Sequence, residues 1–190
     1  MFSLPVVLAS ASPRRLDLLR SVGLAPEVRP AEVYEGRRPG EDPAAMVERL
    51  ARDKRDAVAC QGELVLAADT VVVVDSDVLG KPKTAEMATE MLRRLSGRGH
   101  HVVTGVAVAG PGGAASTTVW TEVTWRPVSE DEITAYVATG EPLDKAGGYG
   151  IQGGGANFVT SLVGSRDNVV GLPVTIALEL LAAVEIASDV

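Results

Sequence analysis

The sequence predicts a mixed α/β fold, in which a twisted sheet is flanked by helices. Helical and strand patterns alternate early in the chain, and two later strand patterns, HVVTGVAVAG and STTVWTEVTWRPV, are separated only by PGGAA. This short connection predicts a β-hairpin, which argues against a purely parallel sheet. The 190 residues, 46% of them hydrophobic, suit one compact domain or two small lobes that share a core.

The composition also bears on partners and compartment. The formal net charge is −7 and no Lys/Arg-rich run occurs, which argues against a polymeric nucleic-acid partner. The single cysteine, Cys60, excludes an intrachain disulfide and fits a reducing compartment. The pattern of a secretion signal is missing and no apolar run is long enough to span a membrane, so we expect a cytoplasmic protein without a membrane partner.

The first half of the chain predicts two strand-to-helix units. Residues 6–9 form a short strand, and the following helix begins near Ser12, a residue able to cap it, and ends at Gly23. Residues 27–41 indicate a short strand that runs into a loop. Asp42 then opens a second, amphipathic helix.

A buried central strand is predicted at residues 64–75, where the apolar run is continuous except for Asp69 and Thr70, which we expect to interrupt the strand. Later segments predict a helix at 84–95, the hairpin, and a helix opened by a capping box of Ser129 and Glu132. The remaining predictions are a glycine-dense loop KAGGYGIQGGGANF, a strand NFVTSLVG and a closing helix LPVTIALELLAAVEIA.

The segment LASASPRR places two hydroxyls and two guanidiniums in a loop that leads from a strand into a helix. The N–H groups of a helix N-terminus and the planar forks of arginine both bind phosphate oxygens, so the segment is a candidate phosphate site. In the alternative interpretation, Ser12 only caps the helix and Arg14 and Arg15 are solvated.

Asp69 is the most informative single residue. A carboxylate within VLAADTVVVV is costly to bury without a partner, so a divalent cation or a role in accepting a proton from water would explain it. An aspartate at a strand end that accepts backbone hydrogen bonds is the structural alternative. Lys54, on or beside the apolar stripe of its helix, needs an anionic partner or must extend outwards to solvent.

Other polar positions are weaker signals when taken alone. Glu35 suits a solvated loop and Lys81, in GKP, suits a turn. Gln152 lies in GGYGIQGGG, whose glycines permit close backbone approach to a ligand and whose amide could meet a base edge; a flexible surface loop is the alternative. The segment lacks the strand and helix of a dinucleotide fingerprint, which argues against NAD binding. His100 and His101 point to opposite faces of a strand and so do not share a metal.

Together these motifs resemble the Maf family nearly end to end and in the family's order. The matching segments are LASASPRR at 8–15, AADTVV at 67–72, GKP at 80–82, SGRGHHVVTGV at 96–106 and DKAGGYGIQG at 144–153. The resemblance implies an α/β fold like that of the inosine triphosphate pyrophosphatases, a single domain over residues 1–190 with two lobes around a central cleft. It also implies hydrolysis of a nucleoside triphosphate to the monophosphate and pyrophosphate, with a divalent cation, Mg²⁺ or Mn²⁺.

The resemblance implies roles for individual residues. Asp69 matches the proton acceptor, and Glu35 with Asp69 matches the metal-binding positions. The triphosphate-binding positions correspond to Ser10, Arg14, Arg15, Lys54 and Lys81. One departure concerns the metal site: family members often carry Asp-Glu where this chain has Tyr34 and Glu35, which removes one carboxylate.

The sequence GYGIQG is similar to the branch of the family that acts on dTTP and UTP, and Arg14, Thr70 and Gln152 match the positions that distinguish the branches. Modified pyrimidine nucleotides are further candidate substrates. Two alternatives remain: the 7-methyl-GTP pyrophosphatase branch, and a regulator of cell division that binds nucleotide without hydrolysing it. Members are often dimers, and the apolar C-terminal helix offers an interface.

Overall fold

The computed structural model of the protein describes residues 2–185. The strands in this range are β1 (Val6–Leu8), β2 (Glu27–Val28), β3 (Leu64–Val74), β4 (Asp77–Leu79), β5 (Gly99–Gly110), β6 (Gly113–Trp125) and β7 (Val159–Val163). The helices are α1 (Pro13–Ser21), α2 (Pro43–Val58), α3 (Ala85–Leu95), α4 (Glu130–Ala138), α5 (Arg166–Val170) and α6 (Val174–Glu185). None of these helices is long and apolar enough to cross a membrane.

The described strands form one mixed sheet in the order β2-β1-β3-β5-β6-β7, with β4 paired to β3 outside this path. β1 runs parallel to β2 and to β3, so that Val7 lies opposite Glu27 on one side and Val65 on the other. β4 is antiparallel to β3, and β7 is antiparallel to β6. β5 and β6 are neighbours joined by two residues, which confirms the hairpin and the mixed α/β sheet with flanking helices.

β3 is the buried strand that its apolar run predicts, since Leu64–Ala68 and Val71–Val74 are nearly inaccessible to solvent. The expected interruption at Asp69 and Thr70 is wrong, because the strand continues through both residues. β1 pairs with β3 at Leu64–Leu66 and β4 pairs with it at Val72–Val74, so Asp69 and Thr70 lie between two paired stretches of one continuous strand. Asp69 and Thr70 are therefore less buried than the rest of the strand, but their backbone conformation is the same.

The chain divides into two compact units. Within the described residues, the first unit comprises 2–69, 104–119 and 171–185, and its core is aliphatic, with Leu8, Leu66 and Leu181 fully buried. The second unit comprises 70–103 and 120–170, and its core is rich in aromatic side chains. The aromatic members are Trp125, Tyr136, Tyr149 and Phe158.

The helix starts follow the sequence with one exception. The Asp42 carboxylate accepts the backbone N–H groups of Ala44 and Ala45 at the start of α2, and Ser129 and Glu132 form the predicted capping box of α4. Ser12 occupies the position before α1, but its side chain makes no capping hydrogen bond, so that prediction is wrong. Its backbone N–H instead donates to the Ser10 hydroxyl, at 3.2 Å.

Three local features differ from the predictions. The glycine-dense segment contains short 3-10 turns at Ala146–Gly148 and Gly154–Phe158 instead of being entirely loop. β4 and α5 were not predicted, because each has five residues or fewer and gives no periodic signal. The closing helix is confirmed as far as Glu185, and its expected last two residues lie outside the described range.

Candidate active site

Lys54 lies at the centre of a charged cluster in the first unit. It is carried by α2, on the face that buries Val47 and Leu50, and it is only 8% exposed. Its ammonium is 2.6 Å from a carboxylate oxygen of Asp69 and 2.6 Å from one of Glu35. Of the two outcomes expected for a lysine on this face, the structure therefore shows the anionic partner.

The two carboxylates differ in their exposure to solvent. The Asp69 side chain on β3 is 14% exposed, whereas that of Glu35, in the loop before α2, is 63% exposed. Because solvent screens the exposed pair more strongly, Lys54 offsets the burial of Asp69 more than it stabilises Glu35. Asp69 lies within β3 and not at its end, so its position depends on this ion pair.

The start of α1 brings two further predicted residues together. Arg15 is buried, and its guanidinium donates to the Ser10 hydroxyl at 3.0 Å and to the carbonyl of Gly171 at 2.7 Å. Arg14 precedes it and is half-buried. A planar guanidinium held at two points has a defined orientation, as the binding of phosphate oxygens requires.

The electrostatic environment of Arg15 connects α1 to the Lys54 cluster. Burial lowers the pKa of the Arg15 guanidinium, Asp69 opposes that shift, Arg14 lowers the pKa further and Glu35 raises it. Arginine remains charged in any protein environment of this kind. These four charged groups thus act on one another within the first unit, and the structure brings Arg14, Arg15, Glu35 and Asp69 into one electrostatic neighbourhood.

The carboxylates can be compared with the needs of a divalent cation. Residues 2–185 contain no group of three or more His, Cys, Asp or Glu side chains suited to a metal. Glu35 and Asp69 each approach the same Lys54 nitrogen at 2.6 Å, so these two oxygens are separated by no more than twice that distance. Mg²⁺ is commonly held by one or two carboxylates together with substrate phosphates and water. The pair fits such an ion.

Three predicted residues belong to the second unit. Thr70 is half-buried in β3, while Lys81 and Gln152 are exposed. The N–H of Gly147 donates to the carbonyl of Gly80 at 3.0 Å, so the glycine-rich segment begins against the turn that carries Lys81. The structure thus places the GKP turn and the glycine-rich segment side by side.

The two adjacent histidines face opposite ways, as expected. His100 is 2% exposed and its Nε2 lies 2.8 Å from the Tyr149 hydroxyl, whereas His101 is exposed and packs against Trp120. Burial, and to a lesser degree His101, lowers the pKa of His100 to about 4. His100 is therefore a neutral core residue at pH 7.

Sequence reasoning missed two pairs that hold the loops of these sites. The first pair is Arg49 and Glu41, which join α2 to the loop carrying Glu35. The second is Tyr136 and Glu141, which contact the glycine-rich segment. An aromatic residue on a helix face and charged residues near helix ends have ordinary structural explanations, so the sequence carried no clear signal for either pair.

Comparison with known proteins gives a consistent result. The profile of the family described as Maf-like protein matches residues 5–184. A protein named dTTP/UTP pyrophosphatase from Anaeromyxobacter sp. (strain Fw109-5) is 54% identical over 181 residues, covering 93% of this chain and 87% of the relative. A protein of the same name from Yersinia pestis bv. Antiqua (strain Antiqua) is 51% identical over 92% of this chain and 90% of its own length.

A third relative with this name, from Koribacter versatilis (strain Ellin345), is 48% identical and covers 89% of both chains. Among solved structures, the Staphylococcus aureus Ham1 protein aligns with a TM-score of 0.45 and 16% identity, over 64% of this chain and 71% of that chain. The family profile extends over almost the whole sequence, and this chain aligns with the relatives over nearly their full lengths. The chain therefore belongs to the Maf-like protein family.

Proposed function

We propose that this protein is a nucleoside triphosphate pyrophosphatase that converts dTTP and UTP, or modified pyrimidine nucleotides, to the monophosphate and pyrophosphate. The observation that carries the proposal is the shielded Asp69 carboxylate on β3, held by the Lys54 ammonium that also holds Glu35. Relatives that are 48–54% identical over most of the chain are named for this activity.

The first unit offers several groups for the triphosphate. Arg14, Arg15 and Lys54 supply positive charge, and the Ser10 hydroxyl is oriented by Arg15. Ser10 and Ser12 lead into the N-terminus of α1, and a helix N-terminus favours a bound anion. Lys81 of the GKP turn is assigned the same role from the family pattern.

The proposed reaction is a single displacement. The oxygen of water forms a bond to the α-phosphorus, the bond from that phosphorus to the oxygen bridging to the β-phosphorus breaks, and its electron pair leaves with pyrophosphate. Asp69 accepts the proton of the water. Cationic groups aimed at the leaving oxygens stabilise the transition state more than the substrate, because negative charge increases there during reaction.

The ion pair of Lys54 gives this step a defined order. A bound triphosphate would compete with Asp69 and Glu35 for the Lys54 ammonium, since phosphate oxygens and carboxylates are both anionic acceptors. When the Lys54 ammonium pairs with the substrate instead, the Asp69 oxygen loses that hydrogen-bond donor and can accept a proton. Substrate binding thereby frees Asp69 to accept the proton of the attacking water.

Glu35 and Asp69 would hold the divalent cation, with Tyr34 standing where many family members supply another carboxylate. When bound, Mg²⁺ or Mn²⁺ supplies charge neutralisation at the phosphate oxygens. With only two carboxylates from the chain, the remaining ligands come from substrate and water. We therefore expect metal binding to strengthen markedly when nucleotide is present.

The choice of base is assigned to Arg14, Thr70 and Gln152. Gln152 is exposed, and its amide both donates and accepts hydrogen bonds, as the edge of uracil or thymine requires. If a bound base shields this contact from water, the contact discriminates against a base that leaves it unpaired. The preference for the pyrimidine branch over the 7-methyl-GTP branch rests on the similarity of GYGIQG to the former.

Pyrophosphate release from dTTP, UTP, CTP, GTP, ATP and 7-methyl-GTP tests the proposal, with Mg²⁺ or Mn²⁺ and with a chelator. We expect metal-dependent release that favours dTTP and UTP. A preference for 7-methyl-GTP would keep the reaction and overturn the choice of base. Release from none of the nucleotides would favour a binding protein.

A further inference from the structure

The glycine-rich segment that carries Gln152, residues 147–155, is held by two side chains of its own unit. The phenol of Tyr136, on α4, donates to one oxygen of Glu141 at 2.8 Å and accepts the backbone N–H of Gly150 at 3.1 Å. The other oxygen of Glu141 accepts the N–H of Gly154 at 3.0 Å. The two bonded amides lie two residues before and two residues after Gln152.

Three glycines of the segment are explained by these neighbours. A Cβ atom added to Gly153 would lie 2.3 Å from a Glu141 oxygen, and one added to Gly154 would lie 3.0 Å from the Tyr136 ring. A Cβ on Gly155 would lie 3.1 Å from the Tyr136 hydroxyl. The space that close approach of a ligand would need at these positions is filled by the protein itself, which opposes a freely flexible loop.

The Tyr136 hydroxyl is suited to remain a permanent donor. The residue is buried and its ring packs edge-on against Phe158, with ring centroids 5.3 Å apart. Burial, the largest influence, raises the pKa of Tyr136 above its ordinary value, and Glu141 raises it further. The phenol therefore keeps its proton at any pH at which the protein is used.

We propose that Tyr136 and Glu141 are positioning residues that set base selectivity by fixing the backbone on both sides of Gln152. The inference rests on the proposed function, in which Gln152 contacts the base. Neither side chain needs to touch substrate. Their effect reaches the substrate through the orientation of the Gln152 amide, because a hydrogen bond to a base depends on both distance and angle.

The variant Tyr136→Phe tests the inference, because it retains the packed ring and removes the hydroxyl. We expect the ratio of kcat/KM for dTTP over CTP to fall about tenfold, the effect of one or two lost hydrogen bonds. KM for dTTP should rise while kcat changes little. Glu141→Ala should behave in the same way, and Glu141→Gln, which keeps one oxygen acceptor, should lie between it and the wild type.

Glu130→Gln is the matched control, since Glu130 lies on the same helix in an exposed ion pair with Arg93 and should leave selectivity unchanged. Thermal melting identifies any variant that fails to fold. If Tyr136→Phe does not fold, Glu141→Gln still tests the inference. Wild-type selectivity in folded Tyr136→Phe and Glu141→Ala would overturn the inference while the proposed function stood. An inactive wild-type protein would overturn both.

Discussion

The two units hold their candidate site residues by different physical means. In the first unit, Lys54 joins Glu35 and Asp69 through charge, and Arg15 orients Ser10 nearby. In the second unit, the segment that carries Gln152 is held mainly through backbone amides. The first arrangement suits proton transfer, because ion pairs can exchange partners. The second suits recognition of a base, because hydrogen-bonded backbone holds the recognising side chain in one position.

This difference predicts different sensitivities. Groups held by charge respond to substitutions that keep size and remove charge, such as aspartate to asparagine. The second unit contains His100, whose burial opposes protonation and lowers its pKa. We therefore expect the charged cluster around Lys54 in the first unit to govern turnover. The segment that carries Gln152 should contribute to base choice together with Arg14 of the first unit, and His100 should limit resistance to acid.

Asp69→Asn is expected to have the largest effect. The amide has almost the same size and leaves the aliphatic core of the first unit intact, but it cannot accept the proton of water. Loss of a general base typically lowers turnover by about 10²- to 10⁴-fold. The measurement is kcat for pyrophosphate release from dTTP at saturating metal, with thermal melting to show that the variant folds.

Asp17→Asn provides the matched control, because this aspartate is exposed on α1 and makes only a 4.0 Å ion pair with Arg20. It should retain wild-type turnover. If Asp69→Asn also retained near-normal turnover, the assignment of Asp69 as the proton acceptor would be wrong, and the contrast between the two units would lose its basis.

Stability in mild acid is expected to depend on His100 in the second unit. The imidazole titrates near pH 6.5 when exposed and near pH 4 in the fold, so the unfolded chain binds the proton first. Stability is then complete above about pH 6.5 and falls as the pH drops towards 4. At about 1.4 kcal/mol per pKa unit, we expect a loss on the order of 2–3 kcal/mol, measured by urea unfolding across this range.

His100→Gln should remove most of that dependence, because glutamine does not titrate and keeps a polar group near the Tyr149 hydroxyl. His101→Gln, at the exposed neighbouring position, should retain the wild-type slope. Neighbouring groups hold the pKa values of Glu41 and Glu132 at about 2, so the stability that these carboxylates contribute is lost mainly as the pH falls from about 4.5 towards 2, below most of the range in which His100 acts. An unchanged slope in His100→Gln would show that other groups control acid stability.

The sequence predicted the charged residues of the first unit better than the held segment of the second. A carboxylate within a run of valines requires compensation, and a lysine on an apolar stripe offers it, so Asp69 and Lys54 were visible from burial and charge. For Gln152, only the glycine pattern was visible. Tyr136 and Glu141 reach that segment through tertiary contacts, which no periodicity encodes.

Fold prediction shows the same division. The long strands and helices followed from hydrophobic periodicity, which fixes which face is buried. β4 follows a tight turn in which Asp75 and Ser76 adopt positive φ. Without a glycine there, the residue types give only a weak signal for that conformation. Ser12 had a capping residue's identity, but the Ser10 hydroxyl accepted its amide and its side chain did not cap. The sequence alone does not show which of two nearby hydroxyl groups accepts a given backbone N–H group.

Arg49 offers the smallest of the expected effects and the sharpest comparison with the second unit. It donates to both oxygens of Glu41, at 2.6 and 2.8 Å, and to the carbonyl of Gly36 at 3.1 Å, next to Glu35. Like Tyr136, Arg49 affects a site residue by holding the backbone next to that residue. Arg49 is therefore a positioning residue in the first unit.

Arg49→Gln should therefore raise the Mn²⁺ concentration for half-maximal turnover about three- to tenfold, the effect of a lost hydrogen bond or two, with little change in the dTTP-to-CTP selectivity. Arg52→Gln is the control, since Arg52 lies on the same helix but pairs with Glu48 and Ser116 instead of the loop before α2. Selectivity lost in Arg49→Gln with an unchanged metal requirement would mean that the loop before α2 contributes to base choice. In that case the assignment of the loop before α2 to metal binding alone would be wrong, even if the reaction itself were correctly assigned.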